Sequence, residues 1–124
     1  RLIIDAYNAN LSSMHAALQS FAQTEDAHKM MILGDMRELG TASADAHAEV
    51  LQLALTTGSQ QVWLVGSEFA QALTTLSADQ AALFRTFPDV EAVKAELEAQ
   101  PLNDQLILIK GSNGTRLFQL PELL

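Results

Sequence analysis

Short unbroken apolar runs alternate with longer stretches in which apolar residues recur every three or four positions, the spacing of one helical face. RLIID, residues 1–5, is the first run and reads as a short buried strand. In SSMHAALQSFAQ, residues 12–23, Met14, Ala17, Leu18 and Phe21 share a face. Asn10 or Ser12 can cap that helix, because a short side-chain oxygen accepts from an orphan N–H of the first turn. KMMILG, residues 29–34, is too short for a helix and stops at glycine. After the loop DMRELGTAS a second helix places His47, Val50, Leu51, Ala54 and Leu55 on one side, with Gly58 as its stop. QVWLVG, residues 61–66, is a third strand, and SEFAQALTTL, residues 67–76, reads as a helix. LFRTF, residues 83–87, is a strand. Pro88 and Asp89 then open a helix with Val90, Val93 and Leu97 inward and Glu91, Lys94 and Glu98 outward. QLILIKG, residues 105–111, is the last clear strand, and RLFQLPELL is either a final strand or a short helical tail limited by Pro121.

Strands that are continuous rather than alternating are buried on both faces. In alternation with helices they specify an α/β fold: a Rossmann-like, doubly wound, mostly parallel sheet with helices on both faces. No repeat, linker or low-complexity segment divides residues 1–124, so the expectation is a single domain. A chain that opens in mid-strand on Arg1 is expected to be a fragment of a longer polypeptide.

Composition narrows the partners. With 15 Asp and Glu against 7 Lys and Arg, the chain lacks the clustered cations that bind nucleic acid or an anionic membrane. It has no cysteine, which removes disulfides and thiolate metal sites. No apolar stretch approaches the roughly 20 residues that span a bilayer.

In a doubly wound fold, ligands bind outside the carboxyl ends of the strands. The polar residues gather there. Asp5, Tyr7, Asn8 and Asn10 follow the first strand; Asp35, Arg37 and Glu38 follow the second; Lys110, Gly111, Ser112, Asn113 and Gly114 follow the last. Three loops are expected to converge on one rim. Each also has a plainer reading. Asn and Asp after strands serve as turn formers and caps, with Asp35 capping its own turn. Arg37 and Glu38 can be solvated, and KGSNG can be a simple turn. Lys110 can run its methylenes along apolar surface to reach solvent. His47 on an apolar face reads as a hydrogen-bonded histidine at the edge of the core, close enough to touch the GDMRELG loop. No His-x-x-x-His or close Asp pair marks a metal site. Neither G-x-x-x-x-G-K-[ST] nor G-x-G-x-x-G occurs, so the part that cradles phosphates is missing. The inference is a half-site, with the other wall on another domain.

DAYNAN, then ILGDMRELG, then His47, then LIKGS, in this order and spacing, resemble the C-terminal domain of the Mur ligases across nearly the whole chain. They most resemble the members that add D-Ala-D-Ala to UDP-MurNAc-tripeptide in bacterial peptidoglycan synthesis. The resemblance implies a cytoplasmic three-domain enzyme whose N-terminal domain holds the UDP-sugar peptide. The central domain holds ATP and Mg2+, and the C-terminal domain closes over ATP with the incoming substrate. ATP converts the acceptor carboxylate to an acyl phosphate, and the dipeptide amine attacks it. By the same resemblance, Asp5, Tyr7 and Asn8 bind ATP, Asp5 through the ribose hydroxyls. Asn10, Arg37, Lys110 and Ser112 face D-Ala-D-Ala, and Asp35, Glu38 and His47 support the loop. The domain alone is expected to be inactive. Leu11 replaces a usual proline and Asn113 a frequent arginine, for which Lys110 or Arg116 can compensate. Two alternatives stay open: the matching domain of another Mur-type or folylpolyglutamate-type ligase, and a stand-alone binding or receiver-like module. A receiver would need an acidic pair before Asp5, which is absent.

Overall fold

A computed structural model describes residues 2–5, 10–37 and 39–121, without the side chains of Asp5, Asn113 and Phe118. Five parallel strands form one sheet: β1 (Leu2–Asp5), β2 (Lys29–Gly34), β3 (Gln61–Val65), β4 (Phe84–Phe87) and β5 (Leu106–Lys110). Their order across the sheet is β1-β5-β2-β3-β4. The central strands β2 and β5 are buried along their whole length, which is why they are unbroken apolar runs. β1 is an edge strand, and its Ile3 and Ile4 are 41% and 46% exposed.

The helices are α1 (Leu11–Gln23), α2 (Ser43–Ala54), α3 (Ser67–Leu73), α4 (Ala78–Ala81) and α5 (Val90–Ala99). Side chains of α1, α2 and α3 pack with Met31, Leu33, Val62, Leu64, Leu106 and Leu108 on one face of the sheet. Val90, Val93 and Leu97 of α5, with Leu117 and Leu120 of the tail, pack with Met30, Ile32, Trp63, Val65, Ile107 and Ile109 on the other. The period-two alternation of strand side chains thus divides the apolar residues into two cores. Each large side chain buried there contributes about 1.5–3 kcal/mol.

The expected elements are present, with local differences. Asn10, not Ser12, caps α1: its Oδ1 accepts from the Ser13 N–H at 2.8 Å, and Ser13 Oγ returns to the Asn10 backbone in a capping box. The helix expected over residues 67–76 ends at Leu73, and a separate turn, α4, follows. Ser77 and Gln80 make their own capping box there and restart the helix. The tail is helical rather than extended, two short 3-10 turns over Asn113–Thr115 and Leu117–Gln119.

One buried cation lies at the opposite end of the sheet from the rim. Lys29 Nζ donates to the carbonyls of Phe21 at 2.8 Å and Thr24 at 2.9 Å, and lies 5.0 Å from the centre of the Phe21 ring. It donates to carbonyls at the C-terminal end of α1, where a positive charge is also favoured by the helix dipole.

Candidate functional site

The connections place the rim. The segments leaving β1 and β2 go to the face carrying α1 and α2, whereas the segment leaving β5, which lies between them, goes to the opposite face. Neighbouring strands whose connections part to opposite faces open a crevice at their carboxyl ends. Asp5 pairs with Lys110, and Lys110 with Leu33, so the three expected loops leave the sheet side by side.

Loop 35–40 is held from two directions. The Asp35 N–H donates to Val65 O at 3.0 Å. Its carboxylate accepts from the Glu68 N–H and the Phe69 N–H, both at 3.0 Å. Asp35 therefore caps α3, one strand away, rather than its own turn. Gly66 makes this possible, since its φ of 118° is left-handed and a Cβ there would overlap the Asp35 carboxylate. On the other side, the Met36 N–H donates to His47 Nε2 at 2.9 Å, and His47 Nδ1 donates to Ser43 O at 2.7 Å. An Nε2 that accepts carries no proton, so the ring is the neutral Nδ1–H tautomer. The 4.0 Å separation of Nε2 from Asp35 Oδ1 is proximity, not an ion pair. His47 is wholly buried, edge-on to Phe69 with ring centres 4.6 Å apart, and so sits inside the core rather than at its edge.

The KGS loop meets loop 35–40 directly. The Ser112 N–H approaches Asp35 O at 3.4 Å, and Thr115 donates to Ser112 O through both N–H, at 3.0 Å, and Oγ1, at 2.6 Å. Gly34 and Gly111 leave the space that the Thr115 hydroxyl fills, since a Cβ on either would come within 2.7 Å of it. The exposed Arg37 guanidinium lies against Gly114, where a Cβ would overlap it. Lys110 does not snorkel to solvent: it is fully buried at the end of β5. Ser112 is 6% exposed, and its Oγ is a buried polar atom with no hydrogen-bond partner among the described residues. A buried hydroxyl without a partner costs stability unless something supplies one.

The structure thus brings Asp35, Arg37, Lys110 and Ser112 together at one rim, with His47 bracing it from the core and Asn10 at the head of α1 facing solvent. The Oδ1 of Asn10 is committed to its cap. The Asp5 side chain and all of Tyr7, Asn8 and Glu38 lie outside the described residues. Among the described residues no group of three His, Asp or Glu side chains could hold a metal ion. No described helix is long and apolar enough to cross a membrane.

The family model for the Mur ligase, glutamate ligase domain, matches residues 1–113. The chain belongs to this family. The Mur ligase domain shares 35% identity over 123 residues with the UDP-N-acetylmuramoyl-tripeptide–D-alanyl-D-alanine ligase of Treponema pallidum, 98% of this chain and 27% of that protein. The enzyme of the same name from Rickettsia prowazekii is 36% identical over 120 residues, 97% of this chain and 26% of that protein. A crystal structure of MurF from Acinetobacter baumannii superposes with a TM-score of 0.75 at 30% identity, covering 96% of this chain and 26% of that one. The Mur ligase domain therefore spans about a quarter of the length of the relatives it matches.

Proposed function

We propose that the chain is the C-terminal domain of a three-domain, ATP-dependent ligase of the bacterial cytoplasm that joins D-Ala-D-Ala to UDP-MurNAc-tripeptide. The observation that carries this reading is the match along 98% of the chain to a protein of that activity. The rim supports it, because the buried Ser112 hydroxyl has no partner among the described residues and lies beside a buried lysine and an exposed arginine.

ATP, as co-substrate, phosphorylates the acceptor carboxylate with release of ADP; the dipeptide amine then displaces phosphate, and an amide results. With no phosphate loop and no metal cluster among its described residues, this domain leaves the triphosphate and Mg2+ to the central domain. Its own residues orient the nucleophile. The exposed Arg37 and the Ser112 hydroxyl receive the dipeptide carboxylate, a charge-assisted bond and a hydroxyl bond respectively, and the buried Lys110 adds positive charge behind them. Asn10 offers its amide, and Asp5, Tyr7 and Asn8 meet the ribose and the seam between nucleotide and dipeptide. Asp35 and His47 hold the loop that presents Arg37.

The test uses the ligase that carries this domain. It should release phosphate from ATP with UDP-MurNAc-tripeptide and D-Ala-D-Ala, and not with D-Glu or a diamino acid in place of the dipeptide. Turnover with one of those instead would make this the domain of a sister ligase. Ser112→Ala should raise the KM for D-Ala-D-Ala by roughly twofold to tenfold, the scale of one neutral hydrogen bond, without changing that for ATP.

A further inference from the structure

Beside the rim lies a polar hollow of about 340 Å³, lined by Met36, Arg37, Leu39, Gly40, Ser43 and Glu68. Among the described residues its lining carries one cation and one anion on different elements, Arg37 on the loop after β2 and Glu68 in the first turn of α3. The two do not neutralise each other, for no ion pair joins them or engages either one among the described residues. Both are held in place. Arg37 rests on Gly114, and the peptide before it is fixed by the Met36–His47 bond. The Glu68 backbone is bonded to the Asp35 carboxylate, so the Glu68 side chain projects from a turn tied to the same loop as Arg37. Glu68 is half-buried, and its carboxylate has no ion pair among the described residues.

Two opposite, separately anchored charges facing one hollow suit a ligand that is itself a zwitterion. The volume is at the lower end of the ~300–1,000 Å³ of small-molecule pockets, enough for a short peptide. We propose that Glu68 is a specificity residue that binds the free ammonium of the incoming dipeptide, opposite the cations that take its carboxylate. This rests on the function proposed above and adds a recognition element for the amino end. A site that reads both ends rejects a blocked peptide, because a buried charge is then left unpaired.

The test is kinetic, on the ligase carrying this domain. Glu68→Gln should raise the KM for D-Ala-D-Ala about tenfold, the scale of a lost charge-assisted contact, and leave the KM for ATP unchanged. N-acetyl-D-Ala-D-Ala, which has the carboxylate but no ammonium, should inhibit the parent weakly and the variant at least as well, because glutamine leaves no charge unpaired. An unchanged KM for D-Ala-D-Ala overturns the assignment. So does an N-acetyl inhibition constant that rises in parallel with the KM, since the variant would then be acting through packing. Both results leave the proposed function standing. A parent enzyme that does not use D-Ala-D-Ala at all removes both readings.

Discussion

The Met36 backbone N–H donates to Nε2 of the buried His47 at 2.9 Å, and this single bond ties the loop after β2 to the body of α2. The same ring donates from Nδ1 to Ser43 O, so it bridges two backbone segments at once. Phenylalanine fills similar space but bonds neither. His47→Phe should lower unfolding stability by about 1–3 kcal/mol through the stranded Met36 N–H and Ser43 carbonyl, read from denaturant midpoints. An unchanged midpoint would mean that water replaces the histidine.

Gly66 and Asp35 should be energetically coupled. Asp35→Ala removes the acceptor for two N–H groups of α3, a cap loss of about 0.5–2 kcal/mol. Gly66→Ala introduces a Cβ into the Asp35 carboxylate at a left-handed φ. In the double variant the overlap is gone, so the cap loss is joined by the dihedral cost alone. The two losses should therefore sum to more than the loss in the double variant, and strict additivity in a double-mutant cycle would refute the packing account.

Lys29 is buried with its ammonium on two carbonyls of the α1 terminus. Lys29→Met keeps the apolar stem and removes the donors. It should destabilise the domain by about 1–3 kcal/mol. Amide exchange should quicken first in the last turn of α1, and an effect spread evenly over the sheet would contradict the local role.

The Arg85–Glu96 pair on the β4 edge sets a pH dependence. Both guanidinium nitrogens reach the carboxylate, at 2.7 and 3.0 Å. The hydrogen bond from Arg85 holds the Glu96 carboxyl below the ordinary range, burial opposes it, and the charge of Arg85 assists. A carboxylate depressed in the folded state stabilises above its unfolded value, ~4.3, and that contribution fades as pH falls through the lower folded value. Carboxyl NMR should show Glu96 titrating below ~4.3, moving upward in Arg85→Met and in high salt. A midpoint indifferent to Arg85 would sink the assignment.

The layered architecture was legible because burial on both faces writes itself into unbroken strands such as Leu106–Ile109. The rim was legible because polar residues recur where three such strands stop. The tertiary roles of those residues were less so. Asp35 follows β2 in sequence, yet it caps a helix 33 residues later, and nothing local to Asp35 encodes Glu68 as its partner. Lys110 was expected to be either a ligand contact or a snorkelling side chain. Its complete burial depends on the loops packed around β5, which only the fold supplies. The left-handed Gly66 left a trace, a glycine between an apolar strand and a helical stretch, but the carboxylate it makes room for belongs to another loop.

The strand order also governs when the sheet can be completed. β1 pairs only with β5 among the described strands, and Leu2 lies opposite Ile107. A nascent chain can assemble β2, β3 and β4 in sequence as they emerge, but β1 must wait for β5. Loop-closure entropy over about a hundred residues is spent in that final step, which makes it slow. Until then the exposed edges of β1 and β2 are open to wrong partners. The slot that β5 fills is also the centre of the rim, so the rim is completed only when β5 docks.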